Sequence, residues 1–496
     1  MMNSSLSQQI AHGTKWYIAM RWAIKALGFV SSAILARLLV PEDFGLVATV
    51  LVVLGFISLL FEFGVNWALI QNNNASDDDF DTAWTIRIIQ AVLVALLLAV
   101  FSGVIADLYN DIRIREICLV IALATMAKGL ENIGTVKFQK EMNFSKDFAY
   151  NVIPKLLATV VTIALAYSFR SYYALIMATL INDIIKVIVS YCVIDYRPRL
   201  CLKKAKDIWG FSQWILIRNM ANYVSTQGDL LVLSVLATPT QIGFYKWGTE
   251  LSFMTISEVQ YPFSRALVPG LVKIKENHRQ LIAAYLKALA AMALVAVPMA
   301  LGFGAISSEL IPLFLGGGDK WVPVIPLVEG LVFFAMFSSL YGISSHLLTI
   351  DGHVKFTAYT FWIQALITII TLYPVYSLWG LIGIAYTRAL IGLIMFFVVS
   401  YLVAKLCQVS ITDILSAIWR PVVAGVLMYF LVIHAAQFYS LKPSITIILK
   451  ILLGAIFYSL TTLILWLLSG APASIEADVV SIIKGYVSRR KIPSDG

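Results

Sequence analysis

Apolar runs of 18 or more residues, separated by short polar stretches, recur from one end of the chain to the other. About 20 residues at 1.5 Å each cross a hydrocarbon core, so each run predicts a spanning helix. The pattern places spans near 14–40, 44–70, 83–107, 116–136, 148–168, 172–194 and 213–237. It continues with 242–268, 281–304, 322–348, 356–377, 380–404, 417–438 and 445–469. Fourteen helices of about 21 residues occupy roughly 295 positions. The expected fold class is therefore all-α integral membrane, with about 14 transmembrane helices.

Composition agrees: of 496 residues, 60% are hydrophobic and 13% charged, against about 45–50% and about 25% in soluble domains. The four cysteines (Cys118, Cys192, Cys201, Cys407) are far apart without a C-x-x-C, so neither a disulfide framework nor a zinc site is expected. Residues 1–13 are polar and the first apolar run is too long for a signal core, so no cleavable signal peptide is expected. The net charge of +9 could suggest nucleic acid, but the basic residues are not gathered in a soluble domain. With the N-terminus inside, twenty Lys and Arg fall in cytoplasmic segments, against five outside: Arg113, Arg115, Arg170, Lys320 and Lys442. By the positive-inside rule both termini are cytoplasmic. One inner loop dissents with Asp77, Asp78, Asp79 and Asp81.

The middle of the chain repeats the beginning. Leu35, Leu38, Pro41 and Gly45 recur 198 residues later as Leu233, Leu236, Pro239 and Gly243. In both places Pro stops one span and Gly admits a tight turn into the next. Tyr167-Ser168 and Tyr376-Ser377 form a second pair at an offset of 209, which puts an insertion of about eleven residues in the Gly316–Asp319 outer loop. Spans one and seven both start inside, so the repeat is parallel, about an axis along the membrane normal. The expected organisation is two pseudo-symmetric six-helix lobes, 1–200 and 213–408, joined by an interfacial linker at 201–212. Two additional helices follow at 409–470, then a cytoplasmic amphipathic tail at 471–496. A lipid-surface helix is the simplest reading of both linker and tail.

Catalysis has no visible seat. Outer loops are short, the five histidines are scattered, and Gly316–Lys320 lacks phosphate-loop spacing. The D-x-D within Asp77–Asp79 could hold a metal, but a solvated loop explains it more simply. What remains is charge inside the membrane, where each ionised side chain costs about 2.5–3.5 kcal/mol. Arg21 and Lys25 share one face of the first span with Gly28 and Ser32; Arg218, Asn222, Ser225 and Asp229 repeat that spacing in the seventh. Such cations must face water or partners, and in the inner half of the bilayer they suit an anionic head group: Arg offers phosphate a bidentate fork, Lys a point charge. Asp229 and Glu250 could bind a proton or Na⁺. Glu62, Lys155, Asp183, Lys186, Glu329 and Arg388 are further intramembrane charges, for which pairing and snorkelling compete with function.

The L-x-x-P-E-D-F-G of Leu38–Gly45 and the F-Q-K-E-M-N-F of Phe138–Phe144, with the two six-helix lobes, resemble the bacterial polysaccharide exporters. These belong to the multidrug/oligosaccharidyl-lipid/polysaccharide superfamily, and the resemblance is nearest to its colanic-acid and teichuronic-acid exporters. It implies a two-lobe flippase in the bacterial inner membrane rather than an enzyme. Such a protein moves undecaprenyl-diphosphate-linked oligosaccharide from the cytoplasmic to the outer leaflet for exopolysaccharide, capsule or O-antigen synthesis, by alternating access. Arg21, Lys25 and Arg218 would hold the diphosphate, with Asn222 and Lys155 beside them. Asp229, Glu250 and Glu62 would carry cation coupling. Expected partners are the lipid-linked glycan, the bilayer, a polysaccharide polymerase and chain-length machinery; no cofactor, metal or nucleic acid is expected. The rivals are a cation-coupled drug exporter of the same superfamily and a membrane-embedded glycan polymerase.

Overall fold

A computed structural model describes residues 4–59, 69, 76–140, 144–316, 318–435, 442–472, 474–478 and 480–481. The described residues form α1 (Ser4–Leu38), α2 (Pro41–Leu59), α3 (Asp77–Val100), α4 (Ser102–Leu108), α5 (Arg113–Gly129), α6 (Val136–Lys140), α7 (Phe144–Phe169) and α8 (Tyr172–Val193). Then come α9 (Ala205–Leu236), α10 (Pro239–Lys273), α11 (His278–Leu315), α12 (Val324–Ile350), α13 (Val354–Leu406), α14 (Ile411–Ala435) and α15 (Pro443–Leu468). The regular structure is almost entirely α-helical, and among the described residues ten helices are long and apolar enough to cross a membrane. Each span read from the sequence overlaps a helix, although the third is broken at Phe101 between α3 and α4, α5 ends at Gly129 inside the fourth, and the ends of the second and thirteenth lie outside the described residues. Spans eleven and twelve share the 53-residue α13, which turns at Gly380 with φ +61° and ψ −153°, a conformation essentially reserved for glycine.

By packing, the chain divides into two compact units. One comprises Met1–Lys246 with Leu315–Lys320; the other comprises Trp247–Phe314 with Trp321–Gly496. This division is by contact, whereas the lobes at 1–200 and 213–408 follow the repeat. The two differ because α9 packs on α2. Tyr223 of α9 donates from its hydroxyl to the Val52 carbonyl at 2.6 Å, its ring lying where a Cβ on Gly55 would be. The helix also begins at Ala205, so residues 205–212 of the expected linker are the first turns of α9.

Within the first unit, the main core joins Leu46, Val47 and Val50 of α2 to Ala95 and Leu98 of α3, Ile114, Ile117 and Ile121 of α5, and Ile176 of α8. A second cluster joins Leu35 and Leu39 to Ala166 of α7 and Ala174 of α8. It brings together the C-terminal ends of α1 and α7, which pack side by side.

The acidic run that defied the charge rule is also explained there. Asp79 caps α3 by accepting from the Ser76 N–H at 2.8 Å. Asp78 pairs with Lys203 and Asp77 with Lys137, while Asp81 accepts from the Tyr196 hydroxyl and, at 2.9 Å, from the Arg199 N–H. The carboxylates therefore hold the extended segment after α8 against the start of α3. Desolvation and the nearby Asp81 push the Tyr196 phenol well above its ordinary range.

In the second unit, the described start of the tail docks on protein. Glu476 accepts from Arg420 at 2.8 and 3.3 Å, both residues buried, and Asp478 pairs with Lys287 at 3.0 Å. The rest of the tail, including Ile482, Tyr486 and Arg489, lies outside the described residues.

Candidate functional site

The site begins at the end of the first unit where α2 and α10 start, the end that the charge pattern leads one to expect outside, because that end fixes the depth of everything below it. Pro41 and Pro239 each open a helix, α2 and α10. Proline is tolerated at a helix start, where its missing N–H has no partner to lose. One turn later stand Gly45 and Gly243. A Cβ on Gly45 would lie 1.7 Å from the Pro239 carbonyl oxygen, and one on Gly243 would lie 1.9 Å from that of Pro41. Each glycine thus receives the other repeat's proline, the reciprocal contact that a two-fold relation produces. The four matching residues of the sequence repeat include this contact's two halves.

Side chains reinforce the closure. Asp43, buried, accepts from the N–H of Val40 at 3.1 Å and of Tyr172 at 2.8 Å. Arg113 bridges Glu42 at 2.6 Å and Asp111 at 2.7 Å. Hydrogen bonds from Arg113 hold the Asp111 carboxyl below its usual range. Tyr109 and Ser234 share a hydrogen bond of 2.9 Å between α5's approach and α9.

With the ends of α1 and α9 meeting there, depth follows from helical rise. Lys25 lies thirteen residues below Leu38, and Asn222 fourteen below Leu236, which puts both about 20 Å from the outer end. Arg21 and Arg218 lie about 26 Å down by the same rise. Lys155 stands fourteen residues below Phe169 on α7, again about 21 Å. Arg21, Lys155 and Arg218 therefore stand near the middles of α1, α7 and α9, and Lys25 and Asn222 just on the Leu38 and Leu236 sides of theirs. Lys25 and Asn222 are exposed, while Arg21 and Lys155 are half-buried. Arg218 stands on α9, its side chain lying outside the described atoms. Among the described residues, nothing lies within 4 Å of a Cβ built on Gly28, so the stripe above Lys25 borders open space. Trp22, Phe29 and Val30 present apolar surface on the neighbouring face of the same helix.

The predicted coupling acids fare differently. Asp229 is 3% exposed and already engaged: Tyr245 donates to its Oδ2 at 2.6 Å, and the Leu230 N–H to its Oδ1 at 2.9 Å. It lies seven residues below Leu236, about 10 Å from the outer end. Glu250 is exposed on α10 and belongs to the second unit. Glu62 lies outside the described residues.

The other intramembrane charges are placed as follows. Lys186 pairs with Glu131 at 3.5 Å, and the same carboxylate accepts from Arg87. This joins α3 and α8 to the end of α5. The i, i+3 spacing of Asp183 and Lys186 had suggested a simpler mutual pair. In the second unit, Arg388 is buried over the Phe334 ring at 4.0 Å and donates to Thr368 at 3.2 Å. Sequence reasoning missed Asp43, Glu131 and Tyr245. An acid at the third position after Val40 is a helix-start signal that could have found Asp43; the other two partners lie 44 and 16 residues away from theirs and left no local trace.

Residues 34–326 match the family described as "Polysaccharide biosynthesis protein". The chain is 23% identical over 340 residues to the lipopolysaccharide biosynthesis protein WzxC of Escherichia coli K12, covering 68% of this chain and 69% of that protein. It is 20% identical over 465 residues to the teichuronic acid biosynthesis protein TuaB of Bacillus subtilis 168, covering 92% and 95%. Among solved structures, the lipid II flippase MurJ in an inward closed conformation superposes with a TM-score of 0.71 at 14% identity, covering 91% of this chain and 99% of that one. That likeness concerns the fold.

Proposed function

The chain belongs to the polysaccharide biosynthesis protein family, and on that premise we propose that it is a flippase for lipid-linked oligosaccharide in surface polysaccharide synthesis. Its substrate class is an undecaprenyl-diphosphate-linked repeat unit, taken from the cytoplasmic leaflet and delivered to the outer one. The relatives' names support export of a surface glycan: one is a putative O-antigen transporter of Shigella flexneri, 21% identical over 415 residues. The observation that carries the mechanism is the cationic face of α1. Arg21 and exposed Lys25 lie in the middle stretch of α1, beside space at Gly28 that no described residue fills, and about as far from their helix end as Asn222 and Lys155 from theirs. Charges there are tolerable in contact with water, protein partners or an ionic ligand. A diphosphate supplies acceptors for both residue types.

In this reading the chemistry is non-covalent. Arg21, Lys25, Arg218, Asn222 and Lys155 hold the diphosphate while the outer end is shut, and the site is then exposed to the other face. Asp229 and Glu250, with Glu62, remain the candidates for a coupling cation. Resetting through Asp229 predicts that Asp229→Asn abolishes the dependence of transport on an ion gradient in vesicles; transport equally gradient-dependent in that variant removes Asp229 from the scheme.

The deciding experiment is deletion in the native host. Completed lipid-linked oligosaccharide should accumulate on the cytoplasmic face of the membrane. Ordinary outer-face glycan would refute the flippase reading, and unpolymerised repeat units on the outer face would point to a polymerase instead.

A further inference from the structure

We propose that residues 197–204 form a foot that docks on an anionic phospholipid surface beside the start of α3, with Leu200 and Leu202 entering the acyl edge. The foot needs a membrane around the chain, but not transport. The sequence predicts a surface helix at 201–212. The structure has instead a non-helical segment from Ile194 to Lys204, and a helix only from Ala205.

The first turns of α3 fix the path of this segment within the first unit. The Arg199 N–H donates to Asp81 at 2.9 Å, the Cys201 N–H to the Thr85 hydroxyl at 2.8 Å, and the Lys204 N–H to the Thr82 hydroxyl at 3.4 Å. At 1.5 Å per residue from Asp77, these acceptors stand about 6, 12 and 8 Å along α3. The segment thus climbs to Cys201 and comes down again. Tyr196 holds the near side: its carbonyl accepts from Asn132 at 2.7 Å, and Lys137 sits 4.3 Å from its ring centroid. Lys203 holds the far side on Asp78 at 3.4 Å.

Thr85 lies inside the apolar run that begins near residue 83, whereas Asp77–Asp81 precede it. The crest of the segment is therefore level with the edge of the hydrocarbon layer. It presents apolar side chains: Leu200 and Leu202, on either side of inward-bonded Cys201, are 74% and 54% exposed. Its flanks are basic, with Arg197 and Arg199 before the crest and Lys203 and Lys204 after it, all exposed. Residues 195–204 carry these four cations and one acid, Asp195. The carboxylates of the α3 start are turned to other work: Asp79 caps the helix, Asp77 holds Lys137, and Asp81 holds Tyr196 and the Arg199 N–H. An apolar tip with a basic collar suits an anionic bilayer surface, which takes leucine at its acyl boundary and draws lysine and arginine to its phosphates. The charge pattern leads one to expect this side within the cell, where the leaflet carries anionic lipid.

The test reconstitutes the full chain in phosphatidylcholine vesicles with and without phosphatidylglycerol. Cys192 and Cys201 are replaced by serine, buried Cys118 and Cys407 are kept, and Leu200→Cys carries an environment-sensitive fluorophore. With phosphatidylglycerol the emission should move to the blue and be quenched by lipids brominated high in the acyl chain. Each basic residue near anionic lipid contributes about fivefold to docking. Arg199→Gln and Lys204→Gln should therefore each lower the docked-to-undocked ratio about fivefold, and molar salt, with a Debye length of about 3 Å, should lower it too. A label equally open to aqueous iodide with and without phosphatidylglycerol overturns the foot. So does docking indifferent to both glutamine variants. A label that stays aqueous in these vesicles but is shielded in native membranes gives the surface to a protein partner and overturns the lipid assignment. None of these results touches the flippase reading, which the deletion experiment decides separately.

Discussion

The two ends of the first unit's helices are built on opposite principles. At the outer end, backbone meets backbone: Gly45 and Gly243 leave no room for a single methyl group, and Asp43, Arg113 and Lys320 bond to the groups around them. About 20 Å lower, α1 carries exposed Lys25 and half-buried Arg21 beside space at Gly28 that no described residue fills. Tight packing excludes water and fixes geometry; charge at depth demands water, a partner or a ligand. The contrast is between a packed end, where α2 and α10 start, and a charged stretch of α1.

The largest expected effect tests the receptive end. Replacing both Arg21→Ala and Lys25→Ala should cut transport of lipid-linked glycan about a hundredfold, the cost of two charge-assisted contacts, with folded protein in the membrane unchanged. Transport within twofold of the parent would remove the cationic face from the mechanism. Next comes the closed end: Gly45→Ala or Gly243→Ala should destabilise the protein by about 1–3 kcal/mol through overpacking, read as a lower melting temperature in detergent. Gly28→Ala sharpens the comparison, because the open space there predicts no loss and a helix-propensity gain of about 0.5–1 kcal/mol. A large loss at position 28 would contradict the open face.

The smallest effect concerns pH at the outer end. Hydrogen bonds from Arg113 depress the Asp111 carboxyl, so this group contributes stability at pH values above its unfolded pKa, about 3.9. That contribution is lost only as pH falls through the lower, folded value. Thermal stability should thus be insensitive to Asp111 from pH 7 to about 5 and decline below about 4. Arg113→Gln should remove that part of the decline; an identical acid profile in the variant would show that the Glu42–Arg113–Asp111 bridge contributes nothing.

Much of the fold was legible because membrane helices announce themselves. A bilayer sets their length and forces every backbone group into internal bonds, so long apolar runs mark helices whatever they pack against. The cations of α1 were legible for the same reason: a charge within such a run is costly and therefore conspicuous. Other features were ambiguous in one dimension. Asp183 and Lys186 are spaced to neutralise each other and do interact, but the spacing gave no sign that Lys186 also reaches Glu131, just beyond the end of α5. The Asp77–Asp81 run looked like a solvated loop, yet it holds Lys137, Lys203 and Tyr196.

From the residues alone came the all-α membrane class, the helices, the internal repeat and the cationic stripe, because each follows from local chemistry repeated at fixed spacing. Folding alone decided that Gly45 lies under Pro239 and Gly243 under Pro41, that Asp229 is held by Tyr245, and that Lys320 reaches the end of the first span. These are meetings between segments from 16 to 283 residues apart. Periodicity records which face of a helix is apolar; it carries no record of which distant helix that face will meet.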